Sequence, residues 1–476
     1  MSTYGGSSMT EQGWSHVVRR GRVSRAAPLL GAASRTAGEA IVASLRGRRD
    51  TGFHERVAER YAQRLGRSKG VLMKAGQLLS FVSFTPAVDG QYAPIYRAAL
   101  ARLQDDAPPM PYADAAAVVT AELGAPPEEL FAEFDREPLA AASIGQVHAA
   151  TLQEGRRVAV KVQYPGVAEA IRADLANTEL LVGFFGLARS MAPALTRMDL
   201  RGLAHEVSER IGAELDYRAE AASQAEFAGI YRGHPFIRVP EIVPELCADR
   251  VLTMELSDGM RWQKALTAEP ALRDRWAEAL YRFTIGSLRR VGLFNADPHP
   301  GNYLFHEDGT VTFLDFGCVK RFTPRQVAEI CAMVTAAVDD DADGFAAVMR
   351  DTGFLPAGDG NLDPAEVVAW FRTSLNSLVE PQPFTFTPER TAATIASAYS
   401  PSGRYGPLVR KLSLPPEFML LMRIELGMNA VLGELNATGP WLDICAEWDR
   451  GGPPATPYGE LDQAFWKEHH AGRSLA

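Results

Sequence analysis

Residues 293–320 read LFNADPHPGNYLFHEDGTVTFLDFGCVK. The stretch holds Asp297, then Asn302 five residues on, then Asp315-Phe316-Gly317. Residues 303–306 read as one strand and residues 311–314 as the next. Glu307-Asp308-Gly309-Thr310 is the turn between them, with Asp-Gly supplying the positive φ angles that a tight hairpin needs. A hairpin returns the chain to where it started, so Asp315 is expected close to Asn302, and both near Asp297. Two oxygen ligands and a further carboxylate at one spot suit a Mg²⁺-nucleotide site. Asn302 and Asp315 would hold the metal, and Asp297 would face the group that attacks the γ-phosphate. An Asp/Asn-rich surface hairpin without chemistry would need the turn but not the spacing of the metal residues.

The whole chain bounds this reading. Its 476 residues are 46% hydrophobic, enough for one large two-lobed domain with extensions. A formal net charge of -9 and a pI near 5.6 argue against a general nucleic-acid binder. Cys247, Cys318, Cys331 and Cys445 show no CxxC pairing, which suits a reducing, cytoplasmic compartment and suggests neither a zinc site nor a disulfide framework. No early apolar run precedes a cleavage site. The apolar run 180–188 is too short to cross a bilayer and stops at Arg189, and the run 418–422 stops at Arg423 and Glu425. An integral membrane protein is not expected.

Residues 1–50 form a basic segment in which eight arginines face three acids. It reads as a partly disordered tail, suited either to weak peripheral contact with an anionic membrane or to solvation alone. Residues 51–110 read as a helical extension, where Lys74 and Gln77, three apart, share a face distinct from the apolar one. Residues 115–123 read as a helix capped by Asp114 and ended by Gly124, and Pro127 opens a short one after it. A small-residue stretch, residues 138–150, precedes a turn at Glu154-Gly155 and the strand 157–163. Period-2 alternation puts Val158, Val160 and Val162 on one face and Lys161 on the other. Two strands, a small-residue loop ahead of them and a lysine on the second make the nucleotide-covering half of a kinase-like small lobe. Residues 200–231 read as one helix. Glu220, six residues beyond Glu214, is then about 9 Å away along the axis and about 120° around it, so one helix offers acids to two neighbours. Strands resume near residues 237–239 and 250–256, and Asp258-Gly259 marks the crossing between lobes. Residues 276–291 are a long helix feeding the catalytic loop. The remainder is helical to about residue 435, and the proline-bearing tail 436–476 is expected to be loop-rich.

With these residues in place, the chain resembles the UbiB/AarF family of atypical kinase-like proteins. The markers are Lys74-Ala75-Gly76-Gln77, Ala140-Ala141-Ala142-Ser143, Val158-Ala159-Val160-Lys161, Glu214-Leu215-Asp216, the run Asn295 through Asn302, and Asp315-Phe316-Gly317. The resemblance implies an α+β, bilobal protein-kinase-like fold. A helical N-terminal extension would lie over the place where a protein substrate docks, followed by a small lobe at 111–256 and a mostly helical large lobe at 257–435. It implies ATP and Mg²⁺ as cofactors, weak ATPase activity, a role in isoprenoid quinone or lipid handling, and Lys161 paired with Glu220. Catalysis then falls to Asp297, Lys161 and Glu220. Nucleotide contacts fall to Leu139, Ala140, Ala141, Ala142, Ser143, Ile144, Gly145, Gln146, Val147, Lys161 and Glu255. Gating falls to Lys74, Gln77, Glu214 and Asp216. The substrate would be a small or lipid-like molecule. Quinone-linked members often carry a C-terminal membrane anchor, and this sequence shows no such span.

Ordinary kinases cover phosphates with glycines, which reach positive φ. Alanine is strained there, so Ala-Ala-Ala-Ser is expected to adopt a different, stiffer shape with altered nucleotide handling. Two other readings compete. A phosphotransferase of the aminoglycoside or choline kinase type shares the Asp-to-Asn spacing, but Lys74 with Gln77 and the alanine loop argue against it. A pseudokinase scaffold with a structural nucleotide is opposed by the complete set of metal and lysine positions. His205-Glu206 is followed by Glu209 where a zinc protease needs a second histidine, and no GxxxxGK[ST] loop is present. His299, flanked by prolines, is expected to hold backbone by a hydrogen bond.

Overall fold

The computed structural model describes residues 109–142, 144–175, 212, 215–354, 362–399, 403–409 and 416–469. Lys74, Gln77, Ser143 and Glu214 lie outside the described residues, as does the basic segment 1–50. Helix α1, Tyr112–Leu123, begins before residue 115, with Pro111 at its N-cap. Asp114, expected as the cap, instead sits in the first turn, where its carboxylate meets the positive end of the helix dipole. Gly124 ends the helix as expected, at φ 82°.

Strands β1 (Glu133–Phe134), β2 (Ala140–Ala141), β3 (Gly145–Thr151) and β4 (Arg157–Gln163) follow. Then come helix α2 (Tyr217–Tyr231), strand β5 (Ile237–Arg238) and strand β6 (Val251–Glu255). The small-lobe sheet runs β1-β3-β4-β6, with β2 also on β3. Val158, Val160 and Val162 are fully buried in one core with Ala115, Val118 and Val119 of α1. Lys161 lies opposite Val147 on one side and Leu252 on the other, so it occupies the second face, as the alternation predicts.

The helix expected over 200–231 is not continuous. Its last part is α2, which starts at Tyr217 because the Asp216 side chain caps it, accepting from the Ala219 N–H at 3.0 Å. Tyr217 and Ala221 of α2 belong to the small-lobe core, while Phe227 and Tyr231 belong to the large-lobe core. The helix therefore joins the two lobes. Strand β5 also crosses the boundary expected at residue 256. It pairs with a strand of the large lobe rather than with the small-lobe sheet.

The long helix before the catalytic segment starts earlier than expected, as α3 (Pro270–Tyr281). It passes through one π-helical turn (Arg282–Gly286) and ends as α4 (Ser287–Val291). Gly292 closes it at φ 65°, and the chain enters β7 (Leu293–Asn295). Strands β8 (Tyr303–Phe305) and β9 (Val311–Phe313) are the expected hairpin, and β10 (Val319–Arg321) returns onto β7. The turn needs one left-handed residue rather than two: Gly309 at φ 92°. Asp308 instead accepts the Thr310 N–H at 2.8 Å, because the loop is longer than a two-residue turn.

Helices α5 (Pro324–Val338), α6 (Ala342–Asp351), α7 (Pro364–Ser374), α8 (Pro388–Tyr399) and α9 (Pro416–Glu434) complete the large lobe. The tail is not loop-rich. It carries helix α10 (Trp441–Asp449) and helix α11 (Pro457–His469). Pro440 and Pro457 stand at helix starts, where a missing N–H costs nothing, so prolines there punctuate helices instead of excluding them. Both helices are tied to the π-turn. The guanidinium of Arg282 donates to Glu278 at 2.7 Å, to Glu447 of α10 at 2.8 and 2.9 Å, and to Asp462 of α11 at 3.4 Å. Asp462 also accepts from Arg290 at 2.7 Å and His234 at 3.1 Å. Among the described residues, no helix is long and apolar enough to cross a membrane.

Candidate active site

The β8–β9 hairpin does what its sequence predicts. The carbonyl of Asn302 accepts the Leu314 N–H at 3.0 Å, which sets Asp315 beside Asn302. The Asn302 side-chain amide donates to the Asp297 carboxylate at 2.9 Å and to the Asp297 carbonyl at 3.3 Å. Asn295 closes the ring. Its amide donates to the Asp315 carbonyl at 2.8 Å, and its oxygen accepts the Asp297 N–H at 3.3 Å. Asn295 was not among the predicted site residues. The signal available was its place two residues before Asp297, the reach of an Asx turn. His299 holds backbone as expected, its Nδ1 accepting the Gly301 N–H at 3.0 Å.

Lys161 reaches this ring from β4. Its ammonium donates to both Glu220 oxygens, at 2.8 and 3.0 Å, and lies 3.6 Å from an Asp315 oxygen. It also sits 4.9 Å from the Tyr217 ring centroid. The Lys161 and Glu220 side chains are 12% and 3% exposed. Burial by itself would lower the lysine pKa. Glu220 and then Asp315 more than offset it and hold the ammonium well above the ordinary lysine range. Phe316 is buried against Phe227 of α2 at 5.1 Å and Phe283 of the π-turn at 6.3 Å, which anchors the Asp315-Phe316-Gly317 loop to both helices. A Cβ on Gly317 would come 3.3 Å from Asp315 Oδ1 and 3.7 Å from Glu220 Oε2, so glycine lets the loop lie against the ion pair. Asp297, Asn302, Asp315, Lys161 and Glu220 thus form one contiguous polar chain between the lobes. Asp216, expected at a gate, serves as the cap that starts α2 one turn before Glu220.

The predicted nucleotide-contact stretch divides by face. Residues 140–147 form a tight β2–β3 hairpin. Ala140 stands opposite Val147 and Ala141 opposite Gln146, and the Ala142 N–H donates to Gly145 O at 2.8 Å. Ala140 and Ala141 are extended, and none of the described residues of the hairpin has a positive φ. Directly opposed residues share a face. Ala140 and Val147 therefore lie on the face of Lys161, and Ala141 and Gln146 lie on the other. Leu139, 46% exposed, leads into the hairpin. Ile144 is buried in the small-lobe core, and Gly145 is required because a Cβ there would lie 2.2 Å from the Val162 carbonyl oxygen. Gln146 is 1% exposed, and its amide bonds Met110 and His148 instead of facing the cleft. Glu255, at the end of β6 opposite Val158, also projects from the face away from Lys161, and its N–H donates to Glu241 O at 2.8 Å. By strand parity the side chains of Gln146 and Glu255 thus lie on the face away from Lys161, and that of Ile144 is in the small-lobe core.

The profile of the ABC1 atypical kinase-like domain matches residues 102–349. Among curated proteins, the chain is 34% identical over 300 residues to "Atypical kinase COQ8B, mitochondrial" of Rattus norvegicus, covering 63% of this chain and 54% of that one. It is 32% identical over 300 residues to "Atypical kinase COQ8, mitochondrial" of Saccharomyces cerevisiae, covering 62% and 57%. The chain spans about half the length of the curated relatives it matches. Among solved structures, it is similar to Rv3197 from Mycobacterium tuberculosis, solved in complex with erythromycin. That similarity has a TM-score of 0.59 at 30% identity and covers 86% of this chain and 97% of that one.

Proposed function

This chain belongs to the ABC1 atypical kinase-like family, and from that premise we propose that it binds ATP with Mg²⁺ between its lobes and cleaves the γ-phosphoryl group. The acceptor is water or a small or lipid-like molecule, in the service of isoprenoid quinone or lipid metabolism. The observation that carries the proposal is the position of Lys161, bonded to Glu220 and 3.6 Å from Asp315, across from Asp297 and Asn302.

The donor set fits the metal. Asn302 spends its amide N–H on Asp297, which leaves the amide oxygen for a cation, and Asp315 brings a carboxylate; hard oxygens of this kind suit Mg²⁺. When bound, the ion would neutralise charge on the β- and γ-phosphates. Lys161 would hold phosphate oxygens, oriented by Glu220. Asp297 would orient the attacking hydroxyl or water and accept its proton, with its carboxylate positioned by Asn302. The face of Ala140 and Val147 would cover the nucleotide. Residues 1–50 would add a weak, salt-sensitive contact with anionic membrane, where an isoprenoid substrate resides.

ATP hydrolysis by the full chain, measured with and without anionic vesicles and a quinone-precursor-like phenol, tests the reading. The expected result is a slow basal rate that the additions raise. Erythromycin belongs in the same assay, because the mycobacterial relative was solved with it. A chain with neither Mg-ATP binding nor turnover under any of these conditions would refute the proposal and favour a scaffold.

A further inference from the structure

The long helix before the catalytic segment carries one turn with an extra residue. In the π-turn, Arg282–Gly286, hydrogen bonds close over one residue more than in an α-helix, so α4 is rotated by about 100° from where a continuous α-helix would put it. That rotation serves two cores. Trp276 and Leu280 of α3 and Phe283 of the turn pack into the large-lobe core, while Leu288 of α4 packs with Phe294 and Ala296 behind the catalytic segment. Single-turn π insertions of this kind are rare and occur frequently at functional sites.

The side chain that the turn aims at the site is Phe283. Its ring stacks on Phe313 with centroids 3.7 Å apart and meets Phe316 edge-on at 6.3 Å. Phe313 stands two residues before Asp315 and Phe316 one residue after it, so one ring supports the chain on both sides of the metal carboxylate. The loop 314–318 belongs to neither β9 nor β10, and Phe316 is its one buried residue. Gly317 returns its N–H to Asp315 Oδ1 at 3.0 Å, so the direction of the carboxylate depends on where Phe316 sits.

Two sets of contacts hold the turn itself. On the α2 side, the Ser287 hydroxyl donates to the Phe283 carbonyl, which leaves it to accept from the Tyr231 hydroxyl at 2.6 Å. On the tail side, the buried Arg282 guanidinium is bonded to Glu447 of α10 and Asp462 of α11. Gly286 admits the tail at close range, since a Cβ there would lie 3.2 Å from the Trp448 ring of α10. Arg282 and Phe283 are consecutive, so the tail carboxylates fix the residue next to the supporting ring.

We infer that Phe283 is a positioning residue for Asp315, and that the tail helices α10 and α11, acting through Arg282, hold the π-turn in the register that presents its ring. The tail thereby sets how well Asp315 is placed for a divalent cation. The cation in this inference rests on the function proposed above; the placement of the loop 314–318 does not.

Three variants of the full chain separate positioning from stability. Phe283→Leu keeps an apolar side chain and removes the stack. Glu447→Gln keeps the shape, reaches the turn through the Arg282 side chain, and leaves Arg282 the carboxylates of Glu278 and Asp462, so the fold is retained. Met349→Ala opens a cavity in the same core from α6 and is the control for lost stability alone. Hydrogen–deuterium exchange is read in residues 314–318 relative to β4, and the Mg-ATP-induced thermal shift is followed across a Mg²⁺ titration.

Phe283→Leu should speed exchange in 314–318 about tenfold relative to β4 and need about tenfold more Mg²⁺ for half-saturation. Glu447→Gln should move both in the same direction by about threefold, because a neutral acceptor holds a guanidinium less tightly than a carboxylate does. Met349→Ala should lower the melting temperature and leave both readings at the parent's. Parent-like exchange in Phe283→Leu overturns the role of the ring, and parent-like readings in Glu447→Gln overturn the role of the tail. Faster exchange with an unchanged Mg²⁺ requirement overturns the link to the carboxylate. A Met349→Ala variant that shifts the loop as far as Phe283→Leu overturns the whole inference, since lost stability would then explain it. Should Phe283→Leu not fold, Phe313→Leu removes the same stack from its other side and carries that arm. If the parent gives no Mg-ATP response, the proposed function fails, and the exchange data still decide the positioning.

Discussion

Replacing Glu220 by Gln isolates the ion pair at the centre of the site. The variant keeps the shape and one acceptor but removes the charge that faces Lys161 at 2.8 Å. At an effective dielectric near 20, that separation corresponds to roughly 6 kcal/mol of attraction, and the second contact, to Asp315 at 3.6 Å, to roughly 5 kcal/mol. Desolvation offsets much of both, and breaking a buried pair typically costs about 3–5 kcal/mol. Here Asp315 remains to receive the ammonium, so the expected loss of stability falls just below that range, about 2–3 kcal/mol. The stronger consequence concerns the metal. With Glu220 neutral, Lys161 shifts onto Asp315 and competes with Mg²⁺ for its carboxylate, so half-saturation with Mg²⁺ at fixed ATP should need about tenfold more metal. Urea unfolding gives the stability term, and nucleotide-induced thermal shift across a Mg²⁺ titration gives the second. Because the folded lysine pKa is raised, the pair contributes fully below the ordinary lysine range. Its contribution fades only as pH rises beyond that range, so the destabilisation should be the same throughout neutral pH. A Glu220→Gln variant with the parent's Mg²⁺ requirement would refute the relocation of Lys161, and one with the parent's stability would refute the energetic role of the pair.

Other outcomes follow from the same contacts. Asp315→Asn should abolish most of the Mg-ATP-induced thermal shift while leaving the unliganded melting curve close to the parent's, because the side chain is at the cleft and a third exposed. Asp297→Asn should retain nucleotide binding, since an amide oxygen can still accept from Asn302, but turnover should fall about 10²–10⁴-fold in a steady-state ATPase assay. Arg282→Met should cost about 3–5 kcal/mol in urea unfolding, because Glu447 and Glu278 lose their cation in a site where Arg282 is 1% exposed; a loss under 1 kcal/mol would show the network to be dispensable. Deleting residues 1–50 should abolish low-salt co-sedimentation with anionic vesicles, and equal binding by the two forms would assign membrane contact elsewhere.

Local rules were enough wherever neighbours in sequence are neighbours in space. The Asp-Gly turn between two short apolar runs makes a hairpin, and a hairpin brings Asn302 and Asp315 together whatever surrounds it. The alternation of Val158, Val160 and Val162 with Lys161 settles which side of β4 faces the cleft. The same parity, carried through β3, would have placed Gln146 with the valines, because it is one residue from Val147, the partner of Lys161. Other features depend on contacts no local pattern encodes. Glu220 meets Lys161 because Asp216 starts α2 at Tyr217 and the two cores draw its ends to different lobes. Strand β5 joins the large lobe because β9, more than 70 residues later, offers an open edge. The tail 436–476 reads as loop from its prolines, yet buried Arg282 and half-buried Arg289 and Arg290 lie on one continuous helix and pair with the carboxylates of Glu447, Asp449 and Asp462. An unpaired buried guanidinium is too costly to leave, and that cost, visible only once the helix is packed, holds the last two helices against the π-turn.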